Sequence, residues 1–169
     1  MKSAERSNIQ QIIQELNDRK RRSKNLIFLN VKYSEGALNN EESLVADKTA
    51  IFNILQSLSI TIDKESFTVK RFGRQFNNKI RPICATFANK HISRNIYASR
   101  DNVKDGVKIL SDRTEIERSY LKEIIGELNR YNEQNPHNQK KLKYINGTPT
   151  LIFVNKQQNA KNNTFMETY

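Results

Sequence analysis

Asn25-Leu26-Ile27-Phe28-Leu29-Asn30-Val31 is a nearly unbroken apolar run that follows directly on the basic cluster Arg19-Lys20-Arg21-Arg22-Ser23-Lys24. It is rich in β-favouring residues and closed by Lys32 and the Ser34-Glu35-Gly36 turn, so it reads as a strand buried on at least one face. We read it as the first and central strand of a small sheet. The segment best suited to pair beside it is Arg81-Pro82-Ile83-Cys84-Ala85-Thr86-Phe87. A helix-period segment and a further strand lie between the two, which gives the order β-α-β-β. One more helix and strand complete a split βαβ unit of the ferredoxin-like kind.

Downstream of that strand, Asn39-Asn40-Glu41-Glu42 opens a helix with a capping Asn and carboxylates in its first turn. The helix is expected over Glu41 to Leu58. Leu44, Ile51, Leu55 and Leu58, with Val45, Phe52 and Ile54 alongside, form an apolar face that should cover one side of the sheet. Ser66 to Phe72 alternates with period two, and Gly73 to Lys79 is a polar hairpin loop leading to Arg81. Pro82 cannot donate to a ladder and belongs at the start of its strand or at a bulge. Asn89 caps a short helix over residues 90 to 100 that carries Ile92, Ile96 and Tyr97, and Gly106 to Leu110 is the last strand. The prediction for residues 24–110 is therefore an α+β, βαββαβ sandwich with a four-stranded antiparallel sheet and both helices on one face. The residues Leu44, Ile51, Phe52 and Leu55 are expected to be buried against Ile83 and Ala85 or their neighbours.

Residues 111–156 read as a second, smaller domain of one helix and a β-hairpin. Asp112-Arg113-Thr114-Glu115 is a capping box, and Ile116, Tyr120, Leu121, Ile124, Ile125 and Leu128 recur at helical spacing until Asn135-Pro136. Asn146-Gly147, between apolar segments, is the strongest short hairpin signal in the chain. Leu151 to Val154 supplies the return strand, and Pro149 suggests an edge. So small a unit has to pack helix on hairpin, and on the first domain as well. The polar composition from Asn155 onward leaves residues 157–169 as a disordered tail.

Upstream, residues 1–23 form a basic N-terminal helix. Ile9, Ile12, Ile13 and Leu16 share a stripe of about two turns, too short for a coiled coil by itself. Such a helix either packs back on the domain or is the tail end of a self-association helix. The chain is accordingly expected to be monomeric or weakly self-associating through this helix.

The 169 residues carry a formal net charge of +11, and the charge is clustered, which points to a polyanionic partner. The single cysteine, Cys84, lies in an apolar strand and reads as a buried thiol. No apolar stretch approaches the length of a membrane span and no signal-peptide core is present. A soluble intracellular protein is expected, cytoplasmic with the nucleus as a second compartment, and without a membrane partner. His91 and His137 stand apart from any ligand-spaced Cys or carboxylate, and no Gly-rich phosphate loop or nucleophile elbow is present. Glu115 and Glu117 serve most simply as first-turn partners of the helix dipole. The reading is a non-enzyme with no cofactor and no metal.

In order and spacing, several of these segments resemble a known family. They are Arg19 to Val31, Arg71-Phe72-Gly73-Arg74, Arg81 to Phe87, Leu110-Ser111-Asp112-Arg113-Thr114 and Asn146-Gly147. The family is the nucleic-acid-binding protein encoded by the first open reading frame of LINE-type retrotransposons, with the related few-polyhedra (FP) protein of baculoviruses. The resemblance covers roughly residues 15 to 156. It implies an RNA-recognition-like (RRM-like) domain and a C-terminal domain that jointly bind single-stranded nucleic acid, with chaperone activity, as a ribonucleoprotein component. In the family a trimerising coiled coil precedes them. Here that coiled coil is reduced to the short stripe, Asn30 stands where the family usually has glycine, and Ile83 and Ala85 occupy the third strand where stacking aromatics are expected.

Without a stacking platform, the mechanism expected is an electrostatic groove for single-stranded RNA or DNA. Arg19, Arg21, Arg22 and Lys24 form either a phosphate-contacting arm or a solubilising linker. Arg71, Arg74 and Lys79 ring the second hairpin, Arg81 starts the third strand, Arg113 sits at the domain junction, and Lys140, Lys141 and Lys143 lead into the last hairpin. These are expected to converge on one continuous positive surface, with Phe76 and Tyr144 as candidates to stack an unpaired base. The competing reading is a structural, protein-interaction factor that uses its basic face only for solubility.

Overall fold

Leu26 and Phe28 are almost completely buried, while Asn25, Ile27 and Leu29 on the same five-residue strand are only partly covered. That alternation follows from the two-residue period of a strand with its two faces in different surroundings. In a computed structural model that describes residues 2–33, 40–74, 79–145 and 148–154, this strand is β1 (Asn25–Leu29). It is preceded by α1 (Lys2–Arg22) and followed by α2 (Asn40–Ser57), β2 (Phe67–Arg71), β3 (Ile83–Phe87), α3 (Lys90–Ala98), β4 (Lys108–Ser111), α4 (Glu115–Gln134), β5 (Lys140–Ile145) and β6 (Thr148–Phe153).

The first four strands form one antiparallel sheet in the order β2-β3-β1-β4, so β1 is central as its composition predicts. Phe28 lies opposite Ile83 on one side and Ile109 on the other. The buried strand residues Leu26, Phe28, Phe67, Val69, Ile83, Ala85, Phe87 and Ile109 share one face and form a single cluster with Ile51 and Leu55 of α2 and Ile96 of α3. Both helices therefore cover the same face. Phe67 and Phe87 stack at 5.6 Å between ring centroids within that core, and burying three phenylalanines is a main source of its stability.

The expected α2 face is corrected at its start. Leu44 and Val45 are exposed, because α2 meets the sheet only from Asp47 onward. Asn30 adopts φ 64° and donates from its side chain to the Gly106 carbonyl at 3.0 Å, so an asparagine tolerates the left-handed turn that ends β1. Asn89 caps α3 through its side-chain oxygen, accepting from the His91 and Ile92 amides.

The chain divides into two compact units, residues 1–114 and 115–169. The basic helix α1 thus belongs to the first unit and is not a separate segment. It is tied there by Thr114, whose hydroxyl donates to Glu15 at 2.6 Å, and by Arg22, whose Nη1 donates to Asp112 at 3.1 Å. In the second unit, α4 packs on the β5–β6 hairpin. Asn132 donates to the Lys140 carbonyl and accepts from its amide, and Tyr131 meets Phe153 edge-on at 6.3 Å. The predicted turn residues Asn146 and Gly147, and the tail over 157–169, lie outside the described residues.

Candidate nucleic-acid interface

The period of the strands decides which side chains each face of the first sheet presents. Residues of one parity go to the core under α2 and α3. The other parity leaves Asn25, Ile27 and Leu29 of β1, Thr68 and Lys70 of β2, Cys84 and Thr86 of β3, and Lys108 and Leu110 of β4 on the face that those helices do not cover. This corrects one sequence expectation. Ile83 and Ala85 are core residues, so the third-strand positions where aromatics would stack a base are Cys84 and Thr86. Neither is aromatic.

The basic last turn of α1 stands at one end of this face, immediately before β1. Arg21 is highly open, with 73 % of its side chain exposed and its Nη2 donating to the less exposed Asp18 at 2.7 Å. Arg22 is more enclosed: its Nε donates to Asp18, and its Nη1 donates to Asp112 and to the Arg113 carbonyl. Burial works against its charge, but Asp112 and Asp18 hold its pKa above the ordinary value. Arg19 bonds Glu15, and Lys24 is exposed in the turn into β1. Beside this turn is a concavity of about 390 Å³, lined by Arg21, Arg22, Asn25, Thr68, Lys70, Phe72, Cys84, Thr86 and Asp112. Asn25 is locked in place, donating to Asp112 at 2.8 Å and accepting from the Thr86 hydroxyl at 2.9 Å. The Cys84 thiol has its pKa raised, first by burial and then by the Asp112 carboxylate.

Arg71 is not part of any open surface. It ends β2 on the core side, with only 5 % of its side chain exposed. Its Nε and Nη2 grip Asp47 at 2.8 and 2.6 Å, and the remaining donors reach the carbonyls of Val31, Lys32 and Arg81. The guanidinium also lies 4.1 Å from the centre of the Tyr33 ring. With all five N–H groups engaged, Arg71 has nothing left for a phosphate. The sequence signal for its partner was available. Asp47 falls on the same helix stripe as Ile51 and Leu55, and a carboxylate on a buried stripe needs a cation.

Arg81 sits at the end of the sheet where β1 and β2 finish, and its backbone amide and Nε both donate to the Tyr33 hydroxyl at 3.2 Å. Burial alone would raise the Tyr33 pKa, but these Arg81 contacts outweigh it and the pKa is lowered. Arg74 and Lys79 are exposed near the same end, and Phe76 lies outside the described residues. Arg113 follows β4 and so belongs to the opposite end, beside Arg22. The expected single patch joining Arg71, Arg81 and Arg113 is therefore replaced by two basic groups at the two ends of the sheet, with Lys70 and Lys108 on the face between them. Neither of those lysines, nor Phe72, is among the binding residues expected from the sequence. The alternation Thr68-Lys70-Phe72, out of phase with Phe67 and Val69, carried the signal.

In the second unit, Lys140 turns toward α4, its Nζ 3.9 Å from the centre of the Tyr131 ring and 5.2 Å from that of Phe153. Lys141 and Lys143 alternate with Leu142 and are exposed along the hairpin. Tyr144 is half-exposed opposite Pro149. No family model and no curated protein matches the chain. Among the described residues, no group of His, Cys, Asp and Glu side chains could hold a metal ion, and no helix is long and apolar enough to cross a membrane.

Proposed function

We propose that the chain binds single-stranded RNA or DNA, chiefly by its phosphates, along the open face of the four-stranded sheet and the basic turn of α1. The observation that carries this reading is the position of Arg21, highly exposed at the rim of a sheet face that α2 and α3 leave bare. Lys70 and Lys108 on the face, with Arg74, Lys79 and Arg81 at its far end, extend the positive surface. Lys141 and Lys143 give the second unit phosphate contacts of its own. Such a surface predicts binding that is salt-sensitive and indifferent to sequence. The strand order β2-β3-β1-β4 with both helices on one face supports a ferredoxin-like, RRM-like reading of this unit. It agrees with the resemblance to LINE-type first-open-reading-frame and few-polyhedra proteins, and chaperone activity in the cytoplasm or nucleus follows from the same resemblance. The test is filter binding of an arbitrary single-stranded oligonucleotide at two salt concentrations. A steep loss of affinity with salt is expected, and no binding at low salt would refute the reading.

A second reading, self-association, is favoured by one observation. Ile9, Ile12, Ile13 and Leu16 are each more than half exposed on α1, so that helix does not bury its stripe on its own unit. Weak pairing of α1 with α1 of another copy would cover it.

A further inference from the structure

The concavity beside α1 has more on it than a phosphate track needs. Its volume of about 390 Å³ falls within the range of small-ligand sites. The cations Arg21 and Lys70 line it together with an aromatic ring, Phe72, which is 40 % exposed although it is one of the larger apolar side chains in the unit. Phe72 directly follows β2, and its amide donates to the Pro82 carbonyl at 2.9 Å, so the backbone that carries the ring is fixed in the ladder. Thr68 and Thr86 add two exposed hydroxyls, and the Thr86 hydroxyl already donates to Asn25, leaving its oxygen able to accept. The two carboxylates nearby are hydrogen-bonded, Asp112 by Arg22 and Asn25 and Asp18 by Arg22 and by the Nη2 of Arg21, whose Nε and Nη1 still point a donor edge at the solvent side for a phosphate.

We propose that this concavity takes one nucleotide of a bound single strand, its base stacked on Phe72 and its phosphate held by Arg21 and Lys70. The proposal rests on the phosphate-binding reading above and adds a base-dependent part to it. Stacking comes from the ring that follows β2, on a sheet whose β1 and β3 positions offer Asn25, Ile27, Cys84 and Thr86 instead of aromatics. Stacking is common to all bases, the Thr68 hydroxyl can donate or accept and the Thr86 oxygen can accept, so the site prefers a base over none without selecting among bases.

Two probes separate this inference from simple charge attraction: a short oligothymidylate, and an abasic strand of the same length and charge. The wild type should bind the base-bearing strand more tightly, by about 5- to 150-fold for one stacked base. Phe72→Ala should remove that preference, and Phe72→Trp should restore it. Equal affinity for both strands overturns the nucleotide site and leaves phosphate binding standing. Binding of neither strand at low salt overturns both.

Discussion

Arg71 and Asp47 illustrate how a residue's surroundings override its type. An arginine next to a loop looks like a surface cation, yet here it is half of a buried pair, with five satisfied donors. Removing one partner leaves the other charge buried and uncompensated, which costs about 3–5 kcal/mol. Arg71→Ala or Asp47→Ala should therefore lower the urea midpoint of the first unit sharply, and the double replacement should cost less than the sum of the singles. If Arg71→Ala instead leaves stability intact and only weakens nucleic-acid binding, the structural role assigned to it is wrong. The parity of β2 and the helical phase of Asp47 were both legible in the sequence. What could not be read was that Arg71 folds inward to meet Val31, Lys32 and Asp47, because those contacts span 24 to 40 positions.

At the scale of elements, α1 is held at one end and bare at the other. Its anchor is partly acid-sensitive. Glu15 has its pKa lowered from the ordinary 4.5, first by the hydrogen bond from Thr114 and then by the one from Arg19. A depressed carboxylate stabilises the folded state fully above the unfolded value, and that contribution disappears as pH falls through the folded pKa. The attachment of α1 should thus loosen below about pH 4.5, the ordinary value from which the Glu15 pKa is depressed. Glu15→Gln should remove that acid dependence, and an NMR titration of the Thr114 amide region checks it. The exposed stripe offers only about two turns of apolar contact, too little for a stable coiled coil. Sedimentation is expected to give a monomer at low micromolar concentration and self-association only at high concentration, abolished by Ile12→Asp with Leu16→Asp; a stable trimer would contradict this. The helices and strands themselves were legible from periodicity and caps. The mistake over Leu44 arose because amphipathicity gives a helix's buried direction but not where along its length packing begins.

For the whole molecule, the placement of charge sets how binding should respond to salt. The basic groups occupy both ends of one sheet face, so no single substitution removes the surface. Replacing Arg21 and Lys24 by Ala should weaken binding to unrelated sequences about equally, and flatten the slope of log affinity against log salt by roughly 0.7 for each phosphate that is no longer neutralised. An unchanged slope with lower affinity would mean damaged packing instead. The same layout bears on the order in which the unit assembles during synthesis. Both neighbours of β1 come late in the chain, β3 from Ile83 and β4 from Lys108, so its pairing waits for partners of large sequence separation. Until then Leu26-Ile27-Phe28-Leu29 is an unpaired, β-prone segment of the sort that joins other chains. The run of Arg19, Lys20, Arg21, Arg22 and Lys24 lies directly against it. In the nascent chain those charges act as gatekeepers, repelling a second copy from the strand that the finished unit depends on.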